Sequence, residues 1–152
     1  MGKVFEDYFS ELQADMVSIC LEYVENRAEK IYIYCSYENR MISSDFFYKI
    51  NGKVIERHKL NDVLVNGQNK YDVSVNRQNS VLKIINCDIM ALAKLCQEHQ
   101  REMPTQIKLV YDVAVNRLNA DYGYDLFYSN DESKIASDIA EEWFQLEKDK
   151  EN

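Results

Sequence analysis

The stretch from Ile31 to Leu60 constrains the fold more than any other part of the chain. Ile31-Tyr-Ile-Tyr-Cys-Ser-Tyr37 is a run of β-branched and aromatic residues, the side chains that suit a pleated, packed surface. Residues 42–50 read as a second strand, and Asn51-Gly52 separates them from a third at 53–60. Asn-Gly suits a two-residue type I′ turn, whose two central positions both need positive φ. Strands joined this tightly run antiparallel, because a parallel pair needs a long crossover. No strand–helix–strand crossover pattern appears anywhere else.

The rest of the chain supplies helices to cover this sheet. Over residues 4–25, Phe5, Phe9, Leu12, Met16, Ile19 and Tyr23 recur at steps of three and four, which places them on one helical stripe. Asn66-Gly67 is a further turn signal, and residues 70–76 and 80–85 read as another hairpin. Asn86 suits the cap of a helix over 87–102, with Ile89, Leu92, Ala93 and Cys96 inward, and Pro104 ends it. Ile107, Leu109, Tyr111, Val113 and Val115 alternate along a half-buried strand, and 119–128 return antiparallel. Ser129-Asn-Asp-Glu132 has capping-box spacing and opens a last helix to about residue 148, with Ile135, Ile139, Trp143 and Leu146 as its buried face. The expected fold is α+β: about six antiparallel strands flanked by three helices, in the order α-β-β-β-(β-hairpin)-α-β-β-α. One proline and four glycines in 152 residues leave no room for a flexible linker, so one globular domain over 1–152 is expected.

The chain contains an internal echo. Tyr71-Asp-Val-Ser-Val-Asn-Arg-Gln-Asn79 returns as Tyr111-Asp-Val-Ala-Val-Asn-Arg-Leu-Asn119, identical at seven of nine positions. In both copies Tyr, Val and Val alternate with polar residues, and Asn-Arg-x-Asn suits a turn. A duplicated binding loop and convergent hairpin chemistry both account for it. One short copied segment does not imply a repeat architecture.

Charge is unevenly placed. Residues 1–120 hold 16 acidic and 15 basic groups, and residues 121–152 hold ten acidic and three basic groups, so seven of the eight net negative charges sit at the end of the chain. Such a surface repels polyanions, so nucleic acid is not expected as a ligand, whereas a basic protein is attracted. The alternative is a solvated terminal helix that aids solubility. The amino terminus carries Glu6, Asp7 and Glu11 where a secretory signal needs an unbroken apolar run, and no segment approaches a membrane span. Cys20, Cys35, Cys87 and Cys96 form no C-x-x-C pair and lie in apolar stretches, which suits reduced, core-packed thiols in the cytoplasm.

The residues offer little chemistry of their own. His58 and His99 are far apart and have no ligand partners at metal-site spacing, so neither a metal nor another cofactor is expected. No nucleophile motif, glycine-rich phosphate loop or catalytic residue stands out. A carboxylate pair remains open as a route to enzymatic activity. Asp121-Tyr-Gly-Tyr-Asp-Leu-Phe-Tyr128 interleaves four aromatics with two acids. It reads as an interface, because tyrosine supplies rigid area with a hydroxyl and carboxylates pair with basic side chains. It reads equally as a strand with Tyr122, Tyr124 and Leu126 inward and Asp121, Asp125 and Phe127 outward.

An amphipathic first helix leads into Lys30-Ile-Tyr-Ile-Tyr-Cys-Ser-Tyr-Glu38. The strand around Asp45-Phe-Phe-Tyr-Lys49, a helix, a hairpin, Asp121-Tyr-Gly-Tyr-Asp125 and a Trp-containing closing helix follow. This order resembles the YezG-like family of bacterial antitoxin or immunity proteins over most of the chain. The resemblance implies an antiparallel sheet flanked by helices, and neutralisation of a toxin, often a nuclease, delivered between competing bacteria. Residues 61–85 depart from it as extra strand material.

The expected function is therefore that of a cytoplasmic immunity protein that blocks a cognate toxin, such as a basic nuclease, as a monomer or weak homodimer. A small carboxylate-dependent enzyme and a structural or oligomerisation module are the alternatives. The expected contact residues are Asp121, Tyr122, Tyr124, Asp125, Asp131 and Glu132. The competing surface is the 70–85 hairpin, with Asn76 and Arg77 at an exposed turn.

Overall fold

The computed structural model describes residues 4–131 and 133–150. Helix α1 spans Phe5–Tyr23, strands β1, β2 and β3 span Lys30–Glu38, Met41–Ile50 and Lys53–Glu56, and a 3₁₀ turn follows at Leu60–Val63. Helix α2 spans Val75–Glu98, β4 and β5 span Gln106–Asp112 and Arg117–Gly123, and α3 spans Ala136–Asp149. The described strands form one sheet in the order β3-β2-β1-β4-β5, antiparallel at every pairing. The α+β class and the strand direction match expectation; the strand count is five rather than six.

The turns carry the local chemistry the sheet needs. Asn51 and Gly52 sit at φ 53° and 79°, as a type I′ turn requires, and bring Ile50 opposite Lys53. Asn39 and Arg40 make the same kind of link between β1 and β2, at φ 51° and 65°.

Central strand β1 is buried on both faces. Ile31, Ile33 and Cys35 meet α1 and α2, in a cluster with Met16, Cys20, Phe46, Tyr48, Ile85, Ile89, Leu92 and Leu109. Tyr32 and Tyr34 point to the other face, where Phe47, Val54, Tyr128 and α3 residues Ala136, Ala140, Trp143 and Phe144 cover them. The Trp143 ring stands edge-on to Phe47 at 5.1 Å and to Tyr32 at 5.9 Å. Aromatic pairs of this kind add about 0.5–1.5 kcal/mol each beyond the area they bury.

The expectations for residues 70–87 and for the last helix are corrected. Residues 70–85 form no hairpin: 70–74 are an extended approach, and α2 begins at Val75, twelve residues before the expected start. Its inward residues Val81, Ile85, Ile89, Leu92 and Cys96 hold helical spacing throughout, and that longer periodicity overrides the β-branched look of Ser80–Ile85. The true cap is Ser74, whose Oγ accepts from the Arg77 N–H, while Asn86 lies mid-helix and accepts from the Ser44 hydroxyl at 2.7 Å. Cys87 lies two residues from both Ile85 and Ile89 on the inward stripe and so falls on the outer face of α2, leaving three of the four free thiols buried.

The last helix also starts later than expected, at Ala136. Asp138 accepts from the Ile135 N–H at 2.9 Å, which makes Ile135 the residue that flanks the helix rather than part of its stripe. The buried face is thus Ala136, Ala140, Trp143 and Phe144, while Ile135 and Leu146 are 63% and 60% exposed. No described helix is long and apolar enough to cross a membrane.

Candidate partner-binding surface

Strand β5 and the segment after it hold the expected contact residues. Among the described residues β5 pairs only with β4, in a register that sets Ile107 opposite Tyr122 and Lys108 opposite Asp121. Side chains alternate across a strand, so Asp121 and Tyr122 leave opposite faces of the sheet. Ile107 belongs to the α1–α2 cluster and Lys108 lies over the Trp143 ring, which assigns Tyr122 to the α1 side and Asp121 to the α3 side.

On the α1 side the structure opens a cavity of about 420 Å³, which Phe5, Phe9, Gln13, Glu102, Tyr122 and Tyr124 help to line. Tyr122 is held firmly there. Its hydroxyl accepts from Gln13 Nε2 at 2.7 Å, and its ring meets Phe9 edge-on at 5.8 Å. Tyr124 is 49% exposed at the rim. Arg101 stacks 4.4 Å over the Phe5 ring and pairs with Glu6 at 3.1 Å. The Glu6 carboxyl is held below the usual carboxylate range by a backbone hydrogen bond and by Arg101.

A single buried carboxylate fixes the chain beyond β5. Glu38, at the end of β1, accepts from the N–H groups of Phe127, Tyr128 and Ser129 and, at 2.6 Å, from the Ser129 hydroxyl. Burial works to raise its pKa, but the bonds from Ser129, Phe127 and Tyr128 outweigh it and keep the carboxyl below its ordinary value. Thr105 adds a second tie through Gly123 and Asp125 carbonyls. The Phe127 ring folds against Gly123, where a Cβ would stand only 2.7 Å from it.

The structure brings Tyr122 and Tyr124 together in one cavity and leaves the acids dispersed. Asp121 and Asp125 are exposed. Asp131 is also exposed, and its carboxylate accepts from Ser133 N–H and Oγ at 2.8 and 2.9 Å, which lowers its pKa. Glu132 lies outside the described residues. Of the alternative inward set, Leu126 is 45% exposed, while Phe127 is partly buried against the α3 cluster. Asn76 and Arg77 stand in the first turn of α2, not in a β-turn. Arg77 donates to the Glu22 and Tyr23 carbonyls at the end of α1.

Sequence reasoning missed Phe5, Phe9, Gln13 and Glu102 as cavity residues. The Phe5 and Phe9 spacing marks a buried stripe, and nothing local shows that this end of the stripe meets a strand over a hundred residues away.

The most strongly perturbed acid lies elsewhere. Asp88 is buried beneath α1, and burial together with the Asp15 carboxyl raises its pKa to about 8. Its Oδ2 has no hydrogen-bond partner among the described residues. It does not line the cavity. Among the described residues, no group of three or more His, Cys, Asp and Glu could hold a metal. His58 lies 3.6 Å from Glu56, and His99 packs against the Phe5 ring at 5.4 Å. Neither protein-family models nor curated proteins match the chain.

Proposed function

We propose that this protein is a cytoplasmic immunity protein that binds a basic toxin domain and blocks its active or substrate-binding surface. The observation that carries the reading is the exposure of Asp121 and Tyr122 on the two faces of edge strand β5, and of Tyr124 and Asp125 just after it. Rigid tyrosines give contact area at low entropic cost, and exposed carboxylates steer a cationic partner and raise its association rate. The protein needs no chemistry of its own for this task. For a nuclease partner, its carboxylates would occupy the places of phosphates, and its net charge of −8 disfavours both nucleic acid as a ligand and tight self-association.

Co-purification with the protein encoded immediately upstream tests the reading, followed by association kinetics of the pair. Replacing Asp121 and Asp125 with Asn should slow association about tenfold at low salt, leave the fold intact and flatten the salt dependence. Unchanged kinetics and protection would remove this surface from the contact.

A further inference from the structure

The two edges of the sheet are treated differently. β3 spans only four residues, and α3 and the 3₁₀ turn pack against it. β5 spans seven, contains no proline, carries Arg117 and Asp121 as its charges, both on the face towards α3, and has no helix laid along it among the described residues. Proline, lysine, shortness and cover are the usual devices that keep an edge from pairing. In an antiparallel ladder every second residue turns its N–H and C=O away from its neighbour. The outer side of β5 therefore offers a row of backbone groups with no strand to meet them.

The side chains beside that row differ between the two faces. Towards α1 lies the cavity of Phe5, Phe9, Tyr122 and Tyr124, with Glu102 making no ion pair among the described residues. Towards α3 lie Asp121 and, four residues earlier on the same face, the exposed Arg117, while Asp125 follows in an exposed position. The cavity wall already holds one guanidinium between an aromatic ring and a carboxylate, in the contact of Arg101 with Phe5 and Glu6. Cation–π stacking and a charge-assisted pair suit an incoming arginine in the same way.

We propose that the outer edge of β5 takes a basic, extended segment of a protein partner as a sixth strand, with its arginines entering the cavity beside Phe9, Tyr122 and Tyr124. This rests on the reading of the partner as a basic protein and adds how it is held. Main-chain bonds supply affinity in such strand addition, and alternate side chains supply specificity. A second copy of this chain fits the edge poorly, since two bodies of charge −8 repel.

The probe is a blocked peptide of alternating threonine and arginine, compared with its fully N-methylated form and with a threonine–glutamate counterpart. Amide chemical shifts and hydrogen exchange of the intact protein are the readouts. The arginine peptide should bind saturably and slow exchange at alternate amides of β5. The N-methylated and glutamate peptides should bind at least about tenfold more weakly, and E102K should weaken the arginine peptide by a similar factor. Y122A reports the cavity separately, through loss of arginine-dependent shifts at Phe5 and Phe9. Equal binding of the N-methylated form, shifts confined to α3, or no saturable binding at millimolar peptide would each overturn the inference. So would a dimer protected at the same β5 amides. A co-purified toxin with no peptide binding defeats this inference alone, whereas peptide binding without any toxin defeats only the function proposed above.

Discussion

Asp88 is the residue most at odds with its surroundings. It is 8% exposed, faces Asp15 from α1, and lies close enough to Cys35 on β1 to help keep that thiol protonated. The folded chain holds its proton up to about pH 8, while an unfolded aspartate loses it near 3.8. A raised folded pKa means that the folded state binds the extra proton between those values. The associated stability is fully present below pH 3.8 and is lost as pH rises through 8. Urea unfolding at pH 5 and pH 8 should show the wild-type chain losing stability across this interval, while D88N holds a flatter profile and is the more stable of the two at pH 8. Parallel profiles would show that Asp88 titrates normally. Nothing in the sequence around Asp88 announces this behaviour, because a carboxylate in a helix is ordinarily a solvated one. Only the early start of α2 and its docking on α1 bury it.

At the scale of elements, the repeated nonapeptide is the clearest test of what local sequence decides. The first copy runs through an extended approach into α2, and the second runs down β4, round a turn with Asn116 at φ 50°, and into β5. Seven identical residues thus adopt two structures, and the two differing positions favour each outcome. Ser74 caps α2 and Gln78 donates back to the Val73 carbonyl at 2.7 Å; their counterparts, Ala114 and Leu118, can do neither. Leu118 instead packs against the larger core cluster. S74A should therefore destabilise the chain by about 1 kcal/mol, the usual cost of losing a serine cap, and raise exchange in the first turn of α2 alone. No change in exchange there would mean that Arg77, bound to the end of α1, holds the helix start without the cap. The sheet direction was legible because Asn51-Gly52 is a local signal that no distant residue overrides. The 70–85 hairpin was misread because Tyr71, Val73 and Val75 alternate over a short window, while the helical spacing of Val81, Ile85, Ile89 and Leu92 needs a longer one.

For the whole molecule, two packed layers on one sheet account for the pattern of thiols. Cys20 faces inward from α1 onto the sheet, Cys35 lies on β1 beneath the helices, and Cys96 faces inward from the end of α2. Burial pushes the Cys35 thiol up to about 12 and raises Cys20 and Cys96 as well. Reaction with an aromatic disulfide reagent should release one equivalent quickly from Cys87 in the native protein and four in total after denaturation. Two fast equivalents, or fewer than four in total, would contradict this packing. The candidate surface was legible in part at this scale. Charge arithmetic and tyrosine content led to β5 and the residues after it, because both are properties of composition. The division of Asp121 and Tyr122 between opposite faces, and the union of Tyr122 with Phe9, depend on register and on a helix made at the other end of the chain. No window of sequence contains them.

Glu38 has a consequence for the order of assembly during synthesis. It belongs to the first hairpin, yet the amides and hydroxyl that satisfy it lie 89 to 91 residues later. A nascent chain that has made β1, β2 and α2 still carries this carboxylate without its partners, and must keep that end of β1 in water. β4, which pairs along β1, also comes late. Closing loops of this length is slow relative to forming hairpins and helices. The side of the sheet that carries the candidate surface is therefore completed only after the first hairpin and the α1–α2 layer are in place.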